Sequence, residues 1–362
     1  MNANGQILKL VLRNGPLSRA ELARVSGLSK PTVSAVSKEL IEQRLITEGG
    51  PANGGGLGRP GNLLNINAGA WSVAGVDLGG TWIRARCADA LGQPIGNHVE
   101  RVIPTLQGIV GQISSIVSRL LREAGSDINT LRRVVVASPG VVDPGTGGLR
   151  LVPNLAELEG KPLGRFLSSE FGCDVEIVND VNAAAYAQHG QRPGEVENSV
   201  FVAIGTGLGA GIVINGQIYR GATGEAGEIG YLPYAGGTIE EIVSGAGLEA
   251  RYLERAGRRL DARAIFAAAD DVHAVALTRR FGDALAWLLT VLASTYNPDR
   301  IFIGGGVGLH LPMSMDDLVA AVRRLSPIAT SLQLTTLGED ASLAGAVLRA
   351  RDGATASILE TI

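Results

Sequence analysis

Apolar residues recur at helical spacing through the first part of the chain. Ile7, Leu8, Val11 and Leu12 mark one helix. Leu22 and Val25 continue the stripe of a second, which opens with Ser18 three residues ahead of Glu21, the spacing of a capping box. Gly27 breaks that helix. Ser29 is placed to cap a third, and Pro31 falls in its first turn, where a missing N–H costs nothing. Val33, Val36, Leu40 and Ile41 supply its inward face. Two helices joined by a short glycine turn, the second beginning with small polar residues, form the helix-turn-helix layout. LITEGG (45–50) and NLLNIN (62–67) then read as two strands of a wing with a Gly-rich tip. From Ser72 the pattern changes to strand, turn and helix in alternation. SVAGVDLGGTWIRARCAD reads as a hairpin, LRRVVVASPGVVDP as a buried strand, and VEIVNDVNAAAYAQ as a strand running into a helix. NSVFVAIGTGLGAGIVINGQIYRG forms another glycine-turn hairpin, and DRIFIGGGVG a strand ending in three glycines.

Charge sharpens this division. Residues 1–61 carry a net charge of +4 and the remainder −7, so a small basic head sits on a larger acidic body. The head is residues 1–70 and the body 71–362; 362 residues are too many for one ordinary core. On the third helix, Lys30, Thr32, Ser34, Ala35, Ser37 and Lys38 are expected to face outward, with Ser29 at its start. Short hydroxyls and lysines there can approach base edges and phosphates. Arg59, between Gly58 and Pro60, stands at the wing tip, where an arginine can enter a narrow minor groove. Cys87 and Cys173 form no C-x-x-C pair, so neither a structural zinc site nor a disulfide framework is expected. No apolar stretch reaches about 18 residues and no signal-peptide layout opens the chain, so the expectation is a cytoplasmic protein with no membrane partner.

In the body, two separate glycine hairpins, each presenting backbone N–H groups and a threonine hydroxyl, suit a nucleotide held between two lobes. DLGGT, ASPGVVD, PNL, NDVNAAA, IGTGLGAGIV, GEIG, IFIGGG and the closing LGEDASLAGAVLRA resemble the ROK family of repressors and sugar kinases, over nearly the whole chain. The head resembles that of the family's repressor branch. The resemblance implies an α/β chain: a two-lobed actin-like ATPase (ribonuclease H-like) sugar-kinase fold preceded by a winged helix-turn-helix. It assigns Asp77, Gly79, Gly80 and Thr81 to one phosphate turn, Gly205, Thr206, Gly207 and Gly209 to the other, and Gly304, Gly305 and Gly306 to the adenosine. Gly140, Asn154, Asn179, Asp180, Glu228 and Glu240 would meet sugar hydroxyls, with Asp180 as the general base.

Three departures matter. Family members usually carry a His after E-x-G and then a cysteine cluster that binds zinc; here that position is Tyr231, counted among the sugar-facing candidates, and no cysteine follows. Zinc is therefore not expected. Trp82 follows GGT where a Lys or Asn is common, which removes a cation from the phosphate turn, and Leu158 replaces a usual Trp. The leading reading is a sugar-responsive repressor of carbohydrate-metabolism genes, whose body senses a small sugar or sugar phosphate and whose head binds operator DNA as a homodimer or dimer of dimers. It needs no cofactor for DNA binding, and its nucleotide turns are vestigial. The alternatives are a working sugar kinase with a DNA-binding head, in which ATP and magnesium would take part, and a DNA-binding protein whose body only dimerises.

Overall fold

The computed structural model describes residues 2–51, 62–191, 194–328 and 330–362; the wing tip with Arg59 lies outside them. The head comprises α1 (Ala3–Asn14), β1 (Leu17–Ser18), α2 (Arg19–Ser26), α3 (Lys30–Glu42), β2 (Ile46–Pro51) and β3 (Asn62–Ile66). Its sheet runs β1-β3-β2, antiparallel, with Leu17 opposite Leu64 and Ile46 opposite Ile66. Ile7, Leu8, Val11, Leu22, Val33, Leu40, Ile46 and Leu64 are buried together as its core. Both halves of the capping box form: Glu21 N–H donates to Ser18 Oγ (3.3 Å), and Ser18 N–H to Glu21 Oε2 (2.8 Å). Gly27 closes α2 at φ 73, and Ser29 caps α3 with Pro31 in its first turn.

Two expectations fail here. Ser37 is fully buried, its hydroxyl donating to the Val33 carbonyl at 2.7 Å. It lies four residues after Val33, so one helical turn returns it to the inward face, and it is unavailable to DNA. Val25 is 51% exposed: α2 is only two turns long and presents Leu22 alone to the core.

The head passes into the body through a 3-10 turn, Ala68–Ala70, and Asn2 Nδ2 also donates to the Ile362 carbonyl. Asn67 donates to the Leu45 carbonyl through its backbone (3.0 Å) and to that of Arg44 through its side chain (2.7 Å), while Ala90 N–H reaches Ala68 O (3.1 Å).

The body continues with β4 (Ser72–Leu78), β5 (Trp82–Asp89), β6 (Pro94–Arg101), α4 (Leu106–Glu123), β7 (Leu131–Ser138), β8 (Val141–Val142), β9 (Leu149–Arg150), α5 (Leu163–Phe171) and β10 (Asp174–Asn179). It goes on through α6 (Asp180–Gly190), β11 (Ser199–Ile204), β12 (Leu208–Ile214), β13 (Gln217–Ile218), β14 (Pro233–Tyr234), β15 (Gly237–Thr238), α7 (Gly245–Ala256), α8 (Ala262–Ala267) and α9 (Val272–Tyr296). It ends with β16 (Arg300–Gly304), α10 (Met315–Leu325), β17 (Ser331–Leu334) and α11 (Ala341–Thr361). Two five-stranded sheets result, ordered β10-β7-β4-β5-β6 and β13-β12-β11-β16-β17. One compact unit holds Met1–Val136, Leu163–Ile177 and Val347–Ile362; the other holds Ala137–Pro162 and Val178–Ala346. In the second, Leu285, Leu288, Leu289 and Leu292 of α9 pack on Val200, Val202, Ile301 and Ile303 of the parallel pair β11 and β16.

In the first unit every residue of β4 is buried, and α11 passes against it at Gly75. A Cβ on Gly75 would lie 2.5 Å from Val347 N and 2.9 Å from its Cα, both backbone atoms that cannot step aside. Gly75→Ala should therefore destabilise the protein by about 1–3 kcal/mol, the usual cost of overpacking, read as a lowered midpoint in urea unfolding.

Candidate functional site

Because β11 and β16 are parallel, their C-terminal ends lie side by side, and each ends in glycine: 205, 207 and 209 after β11, 304 to 306 after β16. Val307 N–H donates to Ile204 O (2.9 Å) and joins the two turns. The C-terminal edge of parallel strands is where α/β sheets usually accept ligands. The N-terminus of α7 packs onto the same place: Gly245 N–H donates to Gly205 O (2.8 Å) and Ala246 N–H to Thr206 O (3.1 Å). Ser244 Oγ takes the Gly247 N–H (3.0 Å). The first donors of α7 are thus committed to holding the glycine turn.

A second group stands in the same unit. Asn179 caps α6, its Oδ1 accepting from Asn182 N–H (3.0 Å), and its Nδ2 donates to the Gly140 carbonyl (3.1 Å). Gly140 has φ 90, and a Cβ there would meet the Arg150 carbonyl at 2.5 Å, so only glycine fits. Asp180, the next residue, accepts the Val181 N–H at Oδ1 (2.8 Å). Glu228 precedes a 3-10 turn, Ile229–Tyr231. Burial pushes its carboxyl up from the ordinary range, and the charges of Asp180, Glu240 and Glu225 push it further the same way. Glu240 accepts the Leu208 N–H at Oε2 (2.8 Å), which links this acidic group to the glycine turn. Asp180, Glu228 and Glu240 therefore share one electrostatic site. Such a cluster demands hydrogen-bond donors, which neighbouring hydroxyls of a sugar supply in pairs.

Asn154 is exposed on a 3-10 helix, Pro153–Leu158, whose entry is held by Glu159 accepting from Leu151 and Val152 N–H (3.3 Å each). Tyr231 is 62% exposed, and its ring meets no partner among the described residues. Leu158, where the family commonly has Trp, is fully buried.

The shortened segment after Glu228 forms a hairpin. β14 and β15 pair Pro233 with Thr238 and Tyr234 with Gly237, across a two-residue turn with positive φ at Ala235 (50) and Gly236 (87). Ile239 N–H donates to Leu232 O (2.9 Å), and the Tyr234 ring packs 4.9 Å from that of Trp287. Aromatic packing thus orders the segment that carries Glu240.

One contributor escaped the sequence reading. Arg150 Nη2 reaches Glu225 Oε1 (3.0 Å) and the Thr223 carbonyl (3.1 Å), and its Nε lies 3.8 Å from Asp143. It joins the hairpin after Gly140 to the segment leading into Glu228. Nothing in periodicity separates such an arginine from a solvated one.

In the other unit, Gly79 N–H donates to Trp82 O (2.9 Å) and Val102 N–H to Thr81 O (3.0 Å), closing the turn over Gly79, Gly80 and Thr81. Asp77 pairs with Arg84 across the hairpin (3.1 Å), and Arg101 lies over the Trp82 ring, 5.2 Å from its centroid. Two arginines thus stand near the turn, Arg84 on the strand that begins with Trp82 and Arg101 opposite Trp82 on β6. On the head, Ser29, Lys30, Ser34 and Lys38 are exposed, Thr32 is half-buried with its hydroxyl 2.7 Å from Ser29 Oγ, and Lys38 lies 3.8 Å from Glu42.

Glu228 yields a signed expectation. Its folded carboxyl titrates above the unfolded one, so the folded state binds the extra proton and stability is lost as pH rises through the interval. Glu228→Gln should melt higher than the wild type near neutral pH, with the gap closing below about 4.3, the ordinary Glu value. Thermal unfolding at several pH values checks this. Arg150→Ala should loosen the segment leading into Glu228, read as faster amide hydrogen exchange over residues 223–228 with far-UV dichroism unchanged.

The winged helix-turn-helix DNA-binding pattern matches residues 4–47 and the ROK family pattern residues 73–352. The xylose repressor of Bacillus spizizenii is 26% identical over 365 residues, covering 94% of this chain and 92% of its own. The match to the first curated relatives spans only 57% of their length. Among solved structures, a ROK hexokinase from Thermus thermophilus is 30% identical with a TM-score of 0.69, over 78% of this chain and 98% of its own. A ROK family transcriptional regulator, described as a homolog of the E. coli MLC protein, is 23% identical with a TM-score of 0.78, over 99% of this chain and 97% of its own. The fold is that of the two-lobed ROK sugar kinases with a winged helix-turn-helix in front, and the chain belongs to the ROK family.

Proposed function

We propose that this protein is a sugar-responsive DNA-binding repressor of carbohydrate-metabolism genes. The observation that carries the reading is the union, in one chain, of a capped helix-turn-helix with an exposed polar helix face and a kinase-like body with a carboxylate cluster suited to sugar hydroxyls. The body acts as the sensor. Gly140, Asn154, Asn179, Asp180, Glu228 and Glu240 take the sugar, with Tyr231 at their margin, and two heads in a homodimer take the operator. Relatives named for xylose repression make an aldose the first effector to test. DNA binding needs no cofactor and the protein carries no zinc.

The kinase alternative draws support from the glycine turns and the hexokinase relative. Against it, Asp77 is ion-paired with Arg84 at 3.1 Å, which offsets the negative charge that a magnesium ion would need. Asp180, in this reading, keeps its place as a hydroxyl acceptor rather than as a base.

Two measurements test the assignment. Lys30→Ala and Lys38→Ala should each weaken operator binding and reduce the slope of log affinity against log salt by about 1, whereas Ser37→Ala should change neither. An unchanged slope in a fluorescence-anisotropy series removes the lysines from the interface. Asp180→Asn should abolish the sugar response and leave sugar-free DNA affinity intact. Turnover of about 1–100 per second with ATP, magnesium and xylose or glucose would make the protein a kinase and contradict the sensor reading.

A further inference from the structure

A cavity of about 360 Å³ lies within the first unit, where the end of the head meets the start of β4, the strand β7 and the last turns of α11. That size falls in the range of small-molecule sites. Gln43, the residue that closes α3, stands on its wall, as do Leu45 and Ile358. Ile362 lines it too, its main-chain oxygen accepting from Asn2 Nδ2, but no acidic side chain does. Its polar lining is instead rich in donors. Trp71 is 1% exposed, and its indole N–H meets no acceptor among the described residues. Arg133 is anchored through its terminal nitrogens to Asp174 and to Glu176 (3.0 Å), yet its Nε–H is also buried without an acceptor. Arg132 is exposed at the rim and has no ion-pair partner among the described residues. Each buried donor left unpaired costs about 1–3 kcal/mol, and native proteins leave few of them.

We propose that this cavity is a second ligand site, separate from the carboxylate cluster, for a small amphipathic organic anion. Its acid group would accept from Trp71 Nε1–H and lie beside Arg132 and Arg133, while its apolar part would cover Leu45 and Ile358. An anion fits because Trp71 and Arg133 offer buried N–H donors without acceptors and Arg132 adds a charge with no ion-pair partner among the described residues, while the Ile362 oxygen on the wall accepts from Asn2 Nδ2. A ligand here touches Gln43, the cap of the DNA-facing helix, so its occupancy bears on the head directly.

The test titrates the full chain with anilinonaphthalene sulfonate, an apolar sulfonate that fluoresces when shielded from water. One site per chain is expected, with energy transfer from tryptophan that falls in Trp71→Phe. Arg132→Ala, an exposed change that leaves the fold intact, should weaken binding about tenfold, as expected for a lost charged contact. Ala354→Leu should block binding by filling the cavity. Hexanoate should displace the dye, and inorganic phosphate, which lacks an apolar part, should not. Absence of binding to the wild type, or affinity unchanged in both Arg132→Ala and Ala354→Leu, would overturn the proposal. Displacement by phosphate as effectively as by hexanoate would overturn the assignment of an amphipathic ligand.

Discussion

Like charges held close together in a half-buried place are the constraint around which the body of this protein is organised. Burial first, and then the charges of Asp180, Glu240 and Glu225, raise the Glu228 carboxyl above its ordinary range. Left to itself, such a group would relax by turning outward into water. Each carboxylate is instead held by backbone or by packing: Asp180 by the first turn of α6, Glu240 by Leu208 N–H, and Glu228 by the segment that Arg150 ties to the hairpin after Gly140. Under the proposed sensor reading, hydroxyl donors of a sugar would relieve that repulsion. This is the usual compromise of a binding site, in which local stability is given up for affinity.

Much of this was legible in the sequence because it depends on local chemistry. Ser18 with Glu21, Gly27, and Ser29 ahead of Pro31 each act within a few residues, so the head's helices follow directly from their order. The glycine turns and the strand-to-helix junction at Asn179 are equally local. What escaped depends on three-dimensional neighbours. Ser37 is polar, yet helical periodicity buries it. Trp82 suggested a loss of charge, but Arg101 stands opposite it and Arg84 stands opposite Asp77, and cross-strand pairing is invisible until register is known. Arg150 joins segments about 75 residues apart. The cavity beside Trp71 needs four separate stretches of chain at once.

The retained glycine turns and the acidic cluster answer different demands. A kinase needs a magnesium-bound nucleotide and a reacting hydroxyl aligned together. A sensor needs only a sugar that prefers one arrangement of the protein over another. The ion pair between Asp77 and Arg84 suits the second demand better than the first. Under the proposed sensor reading, the link from Glu240 to the glycine turn connects the sugar to the ends of β11 and β16, and the 3-10 turn at Ala68–Ala70 joins the head to its own unit.

If sugar and operator are coupled through this chain, the coupling is reciprocal by thermodynamic necessity. Calorimetric titration of xylose into the protein, alone and saturated with operator, measures it directly. The sugar's affinity should fall in the operator complex by the same factor by which sugar weakens DNA binding, on the order of 5–150-fold for typical allosteric coupling. Equal sugar affinity with and without operator, in a protein that binds both, would contradict the proposal that the body senses sugar on behalf of the head.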